Sequence, residues 1–151
     1  MAGGIVRPRL IGACANSIGQ NPVVSASEAS HGLILVADGD PDIRDIVSVS
    51  LERSGYATIQ AATGDEAVRL ALEHQPALCI LDSATPRLSG SEVVRTLHGH
   101  PATRSVPVLM LTRRNGAPEA TADDHLPKPF NTGELLERVS ALRRSRLHSA
   151  G

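Results

Sequence analysis

The chain has 151 residues, which is enough for one domain with a hydrophobic core and too few for two ordinary domains. Hydrophobic residues make up 41% and charged residues 21%, as in soluble globular proteins, and no apolar stretch reaches the length of a membrane span, so we expect a cytoplasmic protein without membrane contact. Residues 31–130 carry thirteen acidic and nine basic side chains, which argues against nucleic acid as a partner.

Residues 1–30 are rich in Gly, Ala and Ser without a sustained hydrophobic period, which predicts a disordered N-terminal extension. Beyond them, buried strands alternate with amphipathic helices. The predicted strands are Leu33–Ala37, Tyr56–Ala61, Ala77–Leu81, Val108–Leu111 and a weaker one at His125–Leu126. The predicted helices run from Pro41 until Gly55 ends the helix, from the capping box Thr63–Glu66 to about His74, from about Ser91 to His98, and from about Thr132 to Arg144.

Alternating strands and helices, with strands that are apolar throughout, indicate an α/β domain with a parallel sheet covered by helices on both faces. We expect a single domain over residues 31–147, followed by a short tail at 148–151. Nothing in the sequence indicates an internal repeat or a second domain.

Polar side chains follow three of the predicted strands. Asp38, Asp82 and Thr112 come directly after an apolar run, and the only lysine of the chain, Lys128, lies just beyond the fifth strand. Strand ends of a parallel sheet lie side by side, so these residues can meet in one crevice. Carboxylates with a compact ammonium and a hydroxyl are the groups that a phosphoryl-transfer site needs.

The chain resembles the receiver domain of two-component response regulators over about residues 32–147. Four matching segments carry the resemblance: Ile34–Asp38, Ile80–Pro86 with Gly90, Pro101–Thr112, and Lys128–Phe130. The resemblance implies a doubly wound, flavodoxin-like fold, CheY-like, with five parallel strands in the order 2-1-3-4-5.

In the same way, the resemblance implies the roles of the polar residues. Asp82 would accept a phosphoryl group as an acyl phosphate, with Mg²⁺ bound by Asp38, Asp82 and the backbone carbonyl of Ala84. Lys128 would pair with the phosphoryl oxygens, and the Thr112 hydroxyl would donate a hydrogen bond to one of them. A nucleophilic carboxylate needs such neutralisation of the transferred group's charge. The resemblance also implies a cis peptide bond before Pro129.

One departure from the receiver pattern affects the metal site. Most receivers have two adjacent acids after the first strand, whereas Gly39 occupies the second position here. Because Mg²⁺ is held through few carboxylates, loss of one should weaken its binding. Asp40 is the candidate replacement ligand, but it is equally suited to cap the helix that begins at Pro41.

Three further departures lie near the remaining strand ends. Arg113 replaces a small residue after Thr112, where it would crowd the phosphoryl pocket or add positive charge. His125 replaces the usual Tyr or Phe, as a packing residue or as a pH-sensitive switch. Only fifteen residues separate Thr112 from Lys128, so the fourth helix should be shortened and the surface around it remodelled.

These observations leave three hypotheses for the function. The first is a stand-alone response regulator, not an enzyme, that accepts phosphate from a histidine kinase or a phosphotransfer protein in a phosphorelay and acts on a downstream protein. The second is a receiver-like binding module that works without phosphorylation. The third is a haloacid-dehalogenase-like phosphatase, suggested by Asp38 and Asp40 after an apolar strand, although the acidic pair Asp123–Asp124 lies upstream of Lys128 rather than downstream.

Overall fold

A computed structural model of the chain describes residues 31–113 and 122–150, with side chains as far as residue 145. Two predictions therefore lie outside the described residues. One is the extension at 1–30, and the other is the shortened helix between the fourth and fifth strands, where residues 114–121 form the centre of the segment.

The described residues form five strands and four helices in strict alternation until β4. The strands are β1 (Leu33–Ala37), β2 (Ala57–Ala61), β3 (Leu78–Asp82), β4 (Val108–Thr112) and β5 (Asp124–Pro127). The helices are α1 (Pro41–Arg53), α2 (Gly64–His74), α3 (Gly90–His98) and α4 (Thr132–Ala150).

The helix starts follow local capping chemistry. The Asp40 side chain accepts a hydrogen bond from the Asp42 backbone N–H before α1, and Asn131 accepts one from Glu134 before α4. At α2, the Thr63 hydroxyl accepts from the Glu66 N–H, but the Glu66 carboxylate returns to the N–H of Ala62 instead of Thr63, so the predicted capping box is shifted by one residue.

The last helix is longer than predicted. The sequence predicts an end near Arg144, whereas α4 continues to Ala150. No glycine or proline occurs between Gly133 and Ala150, so the segment contains no residue that would end a helix.

All strand pairs are parallel, and the sheet has the order β2-β1-β3-β4-β5. The fold class and strand order are therefore as predicted. Asp82 pairs with Leu111, and Thr112 pairs with Pro127. The carboxyl ends of β3, β4 and β5 are thus in register at one edge of the sheet, next to the end of β1.

Alternate residues of each strand face opposite sides of the sheet, and each side has its own core. One core packs β1, β3, β4 and β5 against α1 and α4, through residues such as Val47, Leu51, Leu135 and Val139. The other packs the sheet against α2 and α3. The sheet is therefore covered on both faces and is doubly wound, which leaves its carboxyl edge as the place for a site. No helix in the described ranges is long and apolar enough to cross a bilayer.

Candidate functional site

Lys128 joins the two strand-terminal carboxylates at the carboxyl edge of the sheet. Its Nζ lies 2.9 Å from Asp38 Oδ2 and 3.2 Å from Asp82 Oδ1. The Asp38 side chain is only 2% exposed and that of Asp82 is 14% exposed. Residues 90 and 46 positions apart in sequence thus form one three-residue ion cluster, as the strand-end argument predicted.

The cluster keeps Lys128 in its charged form. Partial burial alone would lower the pKa of Lys128, but the hydrogen bond that its ammonium donates to Asp38 and the charges of Asp82 and Asp38 outweigh that effect, so its pKa lies above the ordinary value of 10.5. An ammonium held between two carboxylates is available to any anionic group bound to either of them.

The backbone around Lys128 fixes where its side chain starts. The Lys128 N–H donates to the carbonyl of Thr112 at 2.8 Å, so the end of β4 and the residue after β5 are directly joined. The Lys128–Pro129 peptide bond is cis, in agreement with the resemblance. Thr112 itself is 5% exposed, which places its side chain in a buried position beside this junction.

The loop after Asp82 is held by a buried threonine. Thr85 is 5% exposed, and its hydroxyl donates to the carbonyl of Asp82 at 2.6 Å. The N–H of Ser83 donates to the carbonyl of Leu111, which continues the β3–β4 pairing past Asp82. Ala84, the predicted backbone metal ligand, lies in the exposed part of this loop, two residues beyond Asp82.

Asp38 is fixed by its own loop as well as by Lys128. Its second carboxylate oxygen, Oδ1, accepts a hydrogen bond from the Asp40 N–H at 2.9 Å. The Asp40 carboxylate turns the other way and accepts from the N–H of Asp42, as the N-cap of α1. Of the two roles open to Asp40, the structure shows capping.

Gly39 lies against the loop that follows Asp82. A Cβ atom built on Gly39 would be 3.1 Å from Cδ and 3.2 Å from Cγ of Pro86. Both distances are tighter than most real Cβ contacts, so a larger side chain at residue 39 requires Pro86 to shift by a few tenths of an ångström. At the position where receivers usually have a second acid, this chain therefore has a glycine with Pro86 close to it.

The side chains at this edge can hold Mg²⁺ only sparingly. Asp38 and Asp82 provide two carboxylates, and within the described ranges no three acidic, His or Cys side chains come together as a metal cluster. Mg²⁺ is commonly held by one or two carboxylates with waters and phosphate oxygens. Two carboxylates are thus the number and type of protein ligand that Mg²⁺ commonly uses.

Two residues singled out in the sequence lie at the rim. Arg113 is exposed directly after β4. His125 lies on β5, partly buried, and its carbonyl accepts a hydrogen bond from the Arg138 guanidinium, which also contacts Asp124 at 3.3 Å. Arg138 thus ties α4 to the last strand beside Lys128.

The sequence analysis did not single out Arg44, and it included Thr85 and Pro86 in a matching segment without giving either a contact. Arg44, in the first turns of α1, donates from Nη1 to the carbonyl of Asp38 at 2.7 Å. Arg44 and Thr85 contact backbone carbonyls, and Pro86 packs against Gly39. Such contacts leave no periodic signal in a sequence. The one available hint was that Arg44 lies within one helical turn of the Asp40 cap.

Comparison with known proteins is consistent with this geometry. The family model of the response regulator receiver domain matches residues 34–140. The DNA-binding dual master transcriptional regulator RpaA of Synechocystis sp. is 41% identical over 117 residues, which cover 74% of this chain and 48% of RpaA. The chain thus spans about half the length of the curated relatives it matches.

Two solved structures are similar in fold. Chemotaxis protein CheY4 of Vibrio cholerae superposes with a TM-score of 0.68 at 31% identity, covering 73% of this chain and 97% of CheY4. The receiver domain of sensor histidine kinase PA1611 from Pseudomonas aeruginosa gives a TM-score of 0.69 at 26% identity, covering 74% and 97%. That structure has a magnesium ion coordinated in its active site cleft.

Proposed function

Because the chain belongs to the receiver domain family of response regulators, we propose that Asp82 accepts a phosphoryl group from a histidine kinase or phosphotransfer protein and that the domain then acts on a protein partner. Receiver domains are signalling domains of two-component systems, and they interact with histidine kinases and with downstream targets. The ion cluster of Asp38, Asp82 and Lys128 is the observation that carries the proposal.

In the proposed reaction, an oxygen of the Asp82 carboxylate attacks the phosphorus of a phosphohistidine. The new O–P bond forms an acyl phosphate as the N–P bond breaks, and the released imidazole nitrogen keeps its electron pair and takes a proton. The transferred group carries negative charge on its three equatorial oxygens, so the site must supply positive charge. Lys128 is already 3.2 Å from Asp82 Oδ1 and needs little movement to reach those oxygens.

Mg²⁺ bound by Asp38, Asp82 and the Ala84 carbonyl would add to the charge neutralisation of the phosphoryl oxygens. The Thr112 hydroxyl would donate a hydrogen bond to one phosphoryl oxygen; Thr112 is buried at the end of β4, beside Lys128, whose N–H donates to the Thr112 carbonyl. The shift of Thr112 toward the modified Asp82 would carry the signal toward β5 and α4.

The proposal is tested by incubating the protein with Mg²⁺ and acetyl phosphate, and then with a histidine kinase, and measuring the intact mass. One added phosphoryl group that is absent from Asp82→Asn and present in Asp42→Asn supports it. Asp42 is an exposed acid on α1 and serves as the matched control. No addition at high Mg²⁺ with either donor rules the proposal out.

A second function has an observation in its favour. Because residue 39 is a glycine next to Pro86, the site has two carboxylates, and both are already paired with Lys128. Such a site suits a binding module that works without phosphorylation. Partner binding by Asp82→Asn at wild-type affinity would favour this module over the phosphorylated switch. We propose a protein partner rather than nucleic acid, because acidic side chains outnumber basic ones thirteen to nine in residues 31–130.

A further inference from the structure

Arg44 places a fixed positive charge beside the carboxylate pair. The residue is partly buried in the first turns of α1, and its Nη1 donates to the carbonyl of Asp38 at 2.7 Å. Its Nε donates to Oε1 of Gln60 on β2 at 3.4 Å. The guanidinium therefore bridges the ends of two strands and lies only a few covalent bonds from the Asp38 carboxylate.

The partners of Arg44 are neutral, which is unusual for a partly buried charge. As far as the structure describes the chain, Arg44 forms no ion pair with a carboxylate and uses a carbonyl and an amide oxygen instead. A charge withdrawn from water normally has a charged partner close by. The strand-end carbonyl that it contacts at 2.7 Å belongs to Asp38, one of the two carboxylate residues paired with Lys128.

The orientation of Arg44 is itself supported. Nε2 of Gln60 donates to Ser48 Oγ at 3.0 Å and to Asp45 Oδ1 at 3.4 Å, both on α1. Gln60 is thus held while its Oε1 faces Arg44. The guanidinium is therefore a placed charge and not a mobile surface group.

The charges at this edge already offset one another. The two carboxylates of Asp38 and Asp82 face the positive charges of Lys128 and Arg44, and Gly39 adds no charge; the Asp40 carboxylate is exposed and caps α1. A divalent cation gains little from such an arrangement, whereas a doubly charged phosphoryl group gains from both cations.

We propose that Arg44 sets the charge of this site: its guanidinium, fixed on the Asp38 carbonyl, lowers the affinity of the carboxylate pair for Mg²⁺. This proposal rests on the proposed function but concerns the unphosphorylated protein. It therefore stands or falls by a binding measurement, whereas the proposed function is decided by the mass of the phosphorylated protein.

The test compares Mg²⁺ titrations of the wild type, Arg44→Gln and Arg53→Gln, followed by the backbone amide resonances of Gly39 and Asp40. Arg53 is the matched control because it is exposed in the last turn of the same helix, and Arg53→Gln removes the same charge. We expect Arg44→Gln to bind Mg²⁺ about three- to tenfold more tightly and Arg53→Gln to change affinity by less than about twofold, from Coulomb interaction over those distances in a partly solvated site.

A purely structural role for Arg44 makes the opposite prediction. If its hydrogen bonds only hold the loop, Arg44→Gln would loosen Asp38 and weaken Mg²⁺ binding, and that outcome overturns the proposal. Equal affinity in wild type and Arg44→Gln, or no measurable binding in either, overturns it as well. Arg44→Lys, which keeps the charge, should bind Mg²⁺ like the wild type, and raising the ionic strength should shrink the gain in Arg44→Gln.

Discussion

Replacing Gly64 with Ala should displace the loop that carries the residues after Asp82. Gly64 begins α2, and its N–H donates to the carbonyl of Pro86 at 2.9 Å. A Cβ atom on Gly64 would lie 2.2 Å from the carbonyl oxygen of Leu88 and 2.6 Å from its Cβ. Real Cβ atoms essentially never come closer than 3.0 Å, so α2 and the loop must move apart by at least 0.8 Å.

The loss of stability in Gly64→Ala depends on which of the atoms near the new Cβ can move. The nearest atom is a backbone oxygen rather than the end of a flexible side chain, and the neighbouring Arg87 already has a left-handed backbone with φ of 74°. Overpacking of this kind costs about 1–3 kcal/mol. Loss of the Gly64–Pro86 hydrogen bond adds about 1 kcal/mol, and the better helix propensity of Ala returns less than about 1 kcal/mol. Together these terms predict that Gly64→Ala lowers the free energy of unfolding by about 1–4 kcal/mol.

The assay is urea denaturation followed by far-ultraviolet circular dichroism, because the chain has no Trp. Gly99→Ala is the matched control: Gly99 has a φ of -79°, and its nearest atom to a built Cβ is 3.4 Å away. Gly99→Ala should unfold within about 0.5 kcal/mol of the wild type. The reasoning is refuted if Gly64→Ala is as stable as the wild type or if both variants lose the same stability.

Three other predictions follow from the site and the core. Lys128→Met leaves the buried Asp38 carboxylate without its ammonium and should lower the free energy of unfolding by about 1–3 kcal/mol, less than the 3–5 kcal/mol of a fully buried pair. Adding Asp38→Asn to Lys128→Met should recover part of that loss, as measured by urea denaturation. Burial raises the pKa of Cys79 from 9.0 to about 12, so as the pH rises the thiol loses its proton in the unfolded chain before it does so in the folded protein. The free energy of unfolding should therefore fall between pH 9 and about 12, by up to about 1.4 kcal/mol per pH unit, and it should fall less steeply in Cys79→Ala. Gly39→Asp should bind Mg²⁺ at least about tenfold more tightly by calorimetry, at a stability cost of about 1 kcal/mol from its contact with Pro86; unchanged Mg²⁺ affinity would show that the missing acid does not limit the site.

The parts of the fold that depend on neighbours in sequence were predictable. Asp40 and Pro41 start α1 because a capping carboxylate and a preset φ act within one turn of chain. The strand ends were less accurate: the apolar pattern stops at Leu81 and Leu111, whereas pairing with the next strand extends β3 to Asp82 and β4 to Thr112. Pairing is a tertiary effect that a single strand's pattern does not show.

The site divides in the same way. The approach of Asp38, Asp82 and Lys128 could be predicted, since the carboxyl ends of parallel strands share an edge. The contacts of Arg44 with the Asp38 carbonyl and of Pro86 with Gly39 could not, because each depends on how a loop or a long side chain lies in three dimensions. Both contacts lie next to the Asp38 end of the ion cluster.

The most direct test of the account is to locate the phosphoryl group. After phosphorylation, borohydride reduction converts an aspartyl phosphate into homoserine, and fragmentation of the peptide that contains Asp82 identifies the converted residue. The account predicts homoserine at residue 82 alone, with none in Lys128→Met under conditions that label the wild type only partly. Homoserine at another acid, or a fully unlabelled wild-type protein, would contradict it.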